Sequence, residues 1–325
     1  MFDSSDRLTN EEITAAVGEA LARREELHRR SDLTGYRLVH GAADALPGLT
    51  VDRIDDLAVI EVRGERERFD LPSLASQLIE HAPVKRVAIR GARAEQRGPH
   101  PAPLENLIGD APTDPIWIDE GGLKFQVAPN ERRANGFFYD ARPAREWLRE
   151  HSSDRRITNL FAHTGSLGVA ALAGGARSVV HVDAKSSPLD VARLHHRENG
   201  LEVDNRSFLR GNVYQVLKRA GRGGVQVDGV ILDPPPVVPR KLAPRPPVGQ
   251  DFEQLTSLAA PMLAPGAWLL CFFSREDVSR EESEAAVERG AGMPLEVIWR
   301  GTSGVDFPAQ GEERQLRLTA WRKES

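Results

Sequence analysis

Apolar positions along the first thirty residues follow a helical rhythm. Between residues 9 and 30, Ile13, Val17, Ala20, Leu21 and Leu27 recur at roughly helical intervals. Thr9 and Glu12 have capping-box spacing, and Arg29-Arg30 at the far end suits the helix dipole, so one helix is predicted over 9–30. The rhythm then shortens. Tyr36-Arg37-Leu38-Val39-His40 reads as a strand, and Leu49 to Arg53 with Leu57 to Val62 reads as a hairpin turning near Ile54-Asp55-Asp56. A helix is predicted over 71–81, a strand over 84–89, a Gly/Pro-rich loop over 91–115 and a second hairpin over 117–127 around Gly121-Gly122. Residues 34–128 thus read as a small α+β domain preceded by the N-terminal helix of 1–33.

From about residue 141 the pattern alternates strand and helix. Helices are predicted at 142–151, 165–174, 187–199, 212–220, 251–264 and 277–289. Strands are predicted at 156–161, 178–183, 206–210, 228–233, 267–273, 295–301 and 314–322. Such alternation implies an α/β domain over 129–325, a mostly parallel sheet with helices on both faces. Sheets of this kind bind ligands beyond the carboxyl ends of their strands. The loops after residues 161, 183, 210 and 233 are therefore where chemistry is expected.

Composition narrows the class. A chain of 325 residues suggests about two domains. The single cysteine, Cys271, makes neither an internal disulfide nor a cysteine-based zinc site. No run of 18 apolar residues occurs, and the polar start MFDSSDRLTNEE does not resemble a signal peptide, so a cytoplasmic protein is expected. The net charge is −5, but the first 150 residues carry 21 basic against 27 acidic residues and the remainder 22 against 21. The acidity belongs to the first half. Basic clusters stand at Arg132-Arg133 and at Arg240-Lys241 with Arg245.

Each of the four loops has a chemical reading beside a plainer one: an ordinary βα turn for the first, helix caps for the second and third, and a Pro-rich loop behind a capping Asp for the fourth. After the first strand comes Phe161-Ala162-His163-Thr164-Gly165, a turn into a helix N-terminus that lacks the G-x-G-x-x-G of dinucleotide sites. Asp183 ends the second strand 18 positions past Gly165, placed to accept from ribose hydroxyls or to cap the next helix. Asn212 in Arg210-Gly211-Asn212-Val213 offers an amide for an adenine edge, or a helix cap. The apolar strand ending Leu232-Asp233-Pro234-Pro235 is the most specific signal, because the prolines stiffen the backbone around a carboxylate.

Taken together, the segments 159–165, 179–183, 210–213 and 231–235 resemble motifs one to four of class I S-adenosylmethionine-dependent methyltransferases. Residues 135–142 (Asn-Gly-Phe-Phe-Tyr-Asp-Ala-Arg), Tyr36 to His40 and Leu46 to Arg53 are similar to segments of bacterial 23S ribosomal RNA methyltransferases of the RlmI/RlmK kind. The resemblance implies a Rossmann-like class I methyltransferase sheet with a small N-terminal α+β domain. It implies S-adenosylmethionine as cofactor and RNA, ribosomal above all, as substrate, with no membrane partner and a homodimer left open. It further implies roles. Phe161, Ala162, His163, Thr164 and Gly165 would line the methionine end, Asp183 would hold the ribose with Ala184 beside the adenine, and Asn212 and Val213 would flank the adenine. Phe137, Phe138, Asp140 and Arg142 would close over the cofactor. Asp233 and Pro234, with Pro235, would lie next to the sulfonium and the target base.

Three departures bear on substrate. Family members usually begin with an RNA-binding domain of the PUA type, whereas this chain starts at the helix that follows it. The fourth motif continues Pro236-Val237, where the family usually has an aromatic residue. The nucleophilic cysteine of the cytosine-C5 members falls on Ser274, while Cys271 lies inside the strand as a small hydrophobe. Methylating cytosine C5 needs thiolate attack, so a base nitrogen or another acceptor is expected instead. Two alternatives accompany the RNA reading: methylation of a small molecule or protein, and cofactor binding without catalysis.

Overall fold

A computed structural model of the chain describes residues 9–90, 104–130, 136–202, 204–235, 250–309, 311 and 315–324. They divide into two compact units, Met1–Asp140 with Gly304–Pro308, and Ala141–Ser303 with Ala309–Ser325.

The first unit contains α1 (Asn10–Arg23), α2 (Glu25–His28), β1 (Gly35–His40), β2 (Leu49–Ile54), β3 (Leu57–Val62), α3 (Leu71–His81), β4 (Arg86–Ile89), β5 (Glu105–Ile108), β6 (Ile116–Glu120) and β7 (Leu123–Val127). Strands β1 to β5 form one sheet in chain order, antiparallel except between β3 and β4, and β6 and β7 form a separate two-stranded sheet. Ile13, Val17 and Leu21 of α1 share a core with Leu38, Val51, Ile60 and Leu78 of the sheet and α3. The capping box between Thr9 and Glu12 is formed. The single helix expected over 9–30 is instead two, broken at Arg24 (φ −99°, ψ 10°). The loop expected over 91–115 also contains β5, an edge strand whose side chains are exposed or half-buried. It lacks the apolar alternation by which a strand is recognised.

Arg24 explains the break. Its side chain turns inward, and all five guanidinium N–H bonds are used. Nε donates to the Arg37 carbonyl (3.0 Å), Nη1 to the Ala20 carbonyl (2.9 Å) and to Asp44 Oδ1 (2.9 Å), and Nη2 to Asp44 Oδ2 (2.7 Å) and to the Asp306 carbonyl (2.9 Å). Asp44 also accepts from Arg23 and, at 2.7 Å, from the His40 amide.

The second unit contains α4 (Arg142–His151), β8 (Arg156–Leu160), α5 (Ser166–Ala173), β9 (Ser178–Asp183), α6 (Ser186–Glu198), β10 (Phe208–Arg210), α7 (Val213–Arg222), β11 (Val227–Leu232), α8 (Gln250–Ala259), β12 (Leu263–Phe273), α9 (Arg280–Ala291), β13 (Leu295–Thr302) and β14 (Arg317–Lys323). The sheet order is β10-β9-β8-β11-β12-β14-β13, parallel through β12, with β14 antiparallel to both its neighbours. This is the doubly wound arrangement expected from the alternation, and the order reverses between β8 and β11. The helix expected over 251–264 stops at Ala259, since Pro261 donates no amide to a continuing helix, and β12 starts at Leu263. Trp147 of α4 meets Trp268 edge-on (5.3 Å) and stacks on Trp299 (5.7 Å), fixing that helix to the sheet. No helix among the described residues is long and apolar enough to cross a membrane.

Asp44→Ala strands the buried Arg24 charge. It is expected to lower unfolding stability by about 3–5 kcal/mol, read as an earlier urea midpoint, while Arg24→Met with Asp44→Leu should cost less.

Candidate cofactor-binding site

The register of the sheet aligns the loops. Leu160 pairs across to Val182 on one side and Leu232 on the other, and Leu232 pairs to Cys271. Those four side chains lie in one apolar cluster. Phe161, Asp183 and Asp233 each follow immediately, one residue beyond that shared row.

The first reversal is tightly wound. Phe161 (φ 59°), His163 (φ 47°) and Gly165 (φ 76°) all take the left-handed conformation, which costs non-glycine residues of order 1 kcal/mol or more each. Gly165 suits it, and a Cβ there would also lie 2.7 Å from Ala192 Cβ. The Asp183 carboxylate holds the turn: Oδ2 accepts from the His163 amide (2.9 Å) and Oδ1 from the Lys185 amide (2.9 Å). The main chain contributes two more bonds, Ala162 N–H to the Val182 carbonyl (3.0 Å) and Gly211 N–H to the Asp183 carbonyl (2.8 Å). Segments 161–165, 183–185 and 211–213 are therefore brought together.

Within this group Ala162 and Thr164 are buried, Phe161, His163 and Asp183 half-buried, and Ala184 exposed. Asn212 caps α7, its Oδ1 accepting from the Gln215 amide (3.3 Å), and Val213 is buried behind it. Asp233 and Pro234 are half-buried and Pro235 is exposed. Residues 236–249 lie outside the described residues, including Pro236, Val237 and the Arg240 to Arg245 cluster, as do Arg132, Arg133 and Asn135. Arg142 opens α4 and is buried. Phe137, Phe138 and Asp140 belong to the first unit. There Phe137 packs between Phe125 (4.8 Å) and Tyr139 (5.4 Å), and Phe138 is 42% exposed.

Sequence reasoning did not single out the histidines beneath the turn. His195 Nδ1 lies 2.9 Å from the Thr164 carbonyl. His181 Nε2 lies 3.1 Å from His196 Nε2, and His196 Nδ1 lies 3.1 Å from the Glu202 carbonyl. His181 Nδ1 faces Asn159 Nδ2 at 3.3 Å. The proton positions follow from the carbonyl, which only accepts. His196 Nδ1 donates to Glu202, its Nε2 accepts from His181 Nε2–H, and His181 Nδ1 accepts from Asn159. Burial, reinforced by His196, pushes His181 down to about 3, and burial also lowers His196. Burial lowers His163 too, opposed by Asp183. One signal was available: adjacent His195-His196 at the buried positions of an amphipathic helix.

Cys271 is fully buried among Leu232, Phe273 and Trp321, and burial pushes its thiol well above the usual range. Ser274 is exposed past the strand end.

The chain matches the family model of S-adenosylmethionine-dependent methyltransferases over residues 37–296. A ribosomal RNA large subunit methyltransferase I of Aeromonas salmonicida is 31% identical over 272 residues, which cover 83% of this chain and 68% of that protein. Its namesake from Cronobacter sakazakii is 29% identical over 318 residues, covering 94% and 78%. Among solved structures, SMU.776, described as a methyltransferase and complexed with SAH, superposes with TM-score 0.85 at 20% identity over 97% of this chain and 82% of that one. The SAM-dependent methyltransferase from Agrobacterium tumefaciens gives 0.64 at 18% identity, covering 91% of each. At these identities the structural likeness speaks for the fold.

The buried neutral His181 sets a pH dependence. Its proton affinity is lower folded than unfolded, so its contribution is complete above about pH 6.5 and is lost as pH falls toward 3. Urea midpoints between pH 7 and 4 should fall more steeply for the wild type than for His181→Asn, the difference reaching at most about 1.4 kcal/mol per pH unit.

Proposed function

The chain belongs to the family of S-adenosylmethionine-dependent methyltransferases, and from that premise we propose that it methylates a nucleobase of ribosomal or other structured RNA by direct transfer, without a cysteine nucleophile. The observation that carries the reading is the alignment of Phe161, Asp183 and Asp233 one residue past a shared row of the sheet. The relatives' activity on ribosomal RNA supports the acceptor class.

The donor set fits the cofactor. A carboxylate offers about four lone-pair sites, and the two backbone amides on Asp183 leave room for ribose hydroxyls. Residues Phe161 to Gly165 hold the methionine end. Ala184 and Val213 border the adenine, and the Asn212 amide N–H, opposite the oxygen used in capping, is the donor for it. The bound cofactor supplies a methyl group on a sulfonium, a leaving group already activated. The protein's task is therefore positioning. Asp233 accepts a hydrogen bond from the acceptor base, and Pro234-Pro235 stiffen the backbone that carries it.

Burial of Cys271 supports a direct route. A thiolate nucleophile needs an exposed, electropositive setting, and this sulfur has neither exposure nor a depressed pKa. A cytosine-C5 product is accordingly not expected.

The test is tritiated methyl transfer from S-adenosylmethionine into bulk RNA from a strain lacking the gene, set against RNA from its parent. Label should enter the former and not the latter, in a base other than 5-methylcytosine by nucleoside mass spectrometry. Label entering only protein or small molecules would move the acceptor, and no label in any extract would leave a binding protein.

Two substitutions separate the parts. Cys271→Ala should keep kcat within about threefold, and a loss of 10³ or more would sink the direct route. Asp183→Asn should weaken cofactor binding about tenfold or more in calorimetry.

A further inference from the structure

Three features of the turn at 161–165 go beyond what contact with the cofactor requires. The turn holds two non-glycine residues, Phe161 and His163, in the left-handed region. Its next residue, Thr164, gives its carbonyl to a fully buried imidazole, His195. A second buried imidazole, His181, fills the space beneath the helix that the turn opens: a Cβ at Gly168 would lie 2.2 Å from His181 Cε1, and one at Gly165 would lie 3.3 Å from it.

Strained backbone persists only where its surroundings over-determine it. Here adjacent residues are gripped by opposite kinds of group. The His163 amide donates to the Asp183 carboxylate at the end of β9, and the Thr164 carbonyl accepts from His195 on α6. We propose that His195 is a positioning residue for the cofactor: its Nδ1–H fixes the peptide between Thr164 and Gly165 and so sets the shape of the turn that receives the methionine end. The inference rests on the cofactor reading of this turn given above.

The histidine pair behind it orients α6. His196, next in sequence, is anchored by the Glu202 carbonyl and by His181, whose ring stacks on Phe208 (5.1 Å, 7° between planes). The rotation of α6 about its axis is thereby fixed, and with it the direction in which His195 presents Nδ1. Because a carbonyl only accepts, His195 acts with its proton on Nδ1, and any replacement must present an N–H at that atom's place. The asparagine amide overlies Nδ1. The glutamine amide reaches one methylene further.

The experiment is calorimetric binding of S-adenosylmethionine to the full chain as wild type, His195→Asn, His195→Gln and His195→Leu, with a melting temperature for each. His195→Leu is expected to raise Kd about tenfold. His195→Asn should return it to within threefold of wild type, and His195→Gln should remain weak. Asn binding as weakly as Gln, or Leu binding as tightly as wild type, overturns the proposal. If His195→Leu does not fold, the Asn-against-Gln comparison decides alone, because both carry an amide and differ only in reach. Absence of binding by the wild type would instead overturn the cofactor reading itself, so the two failures are distinguishable.

Discussion

The second unit is organised around the two backbone amides that Asp183 accepts. One belongs to His163, in the reversal after β8, and the other to Lys185, in the reversal after its own strand. A carboxylate that receives two amides joins adjacent βα turns into one rigid rim. The Asp183 carbonyl then takes the Gly211 amide and extends that rim to the third turn. Sheet register supplies the remaining requirement, because it starts these turns at the same height. A ligand lying across the rim meets a surface whose shape is fixed before it arrives, which is the condition under which positioning alone accelerates a transfer from an activated leaving group.

Beneath the rim the polar atoms are directed. From Asn159 through His181 and His196 to the Glu202 carbonyl, each group donates to the next in one sense. Such a chain has one low-energy arrangement of protons, and protonating either ring would leave two donors facing each other. Its neutral state therefore belongs to the fold, much as a matched pair of apolar side chains would.

Much of this was legible in the sequence. The alternation from residue 141 onward fixes a parallel sheet, and Asp183 and Asp233 are visible as carboxylates ending apolar strands. Cys271 is visible as a core residue because it shares strand parity with Phe273. What could not be read is whatever depends on polar groups that are buried by pairing. By residue type His181, His195, His196 and Arg24 read as surface positions, yet each stands on the inner face of its element and is buried. The break at Arg24 belongs to the same class, since its guanidinium is held by acceptors mostly outside its own helix. Edge strand β5 was missed because an edge needs no apolar alternation. Phe137 packs with Phe125 and Tyr139, a contact that no local pattern encodes.

Arg24 also carries a consequence for the order in which the molecule matures. Four of its five hydrogen bonds go to residues no later than Asp44, but the fifth goes to the Asp306 carbonyl, 282 positions downstream. A chain emerging from the ribosome N-terminus first can assemble the α1–β1 core early, yet one guanidinium N–H stays without its native acceptor until residue 306 has been made. Completion of the first unit therefore waits on the synthesis of most of the second.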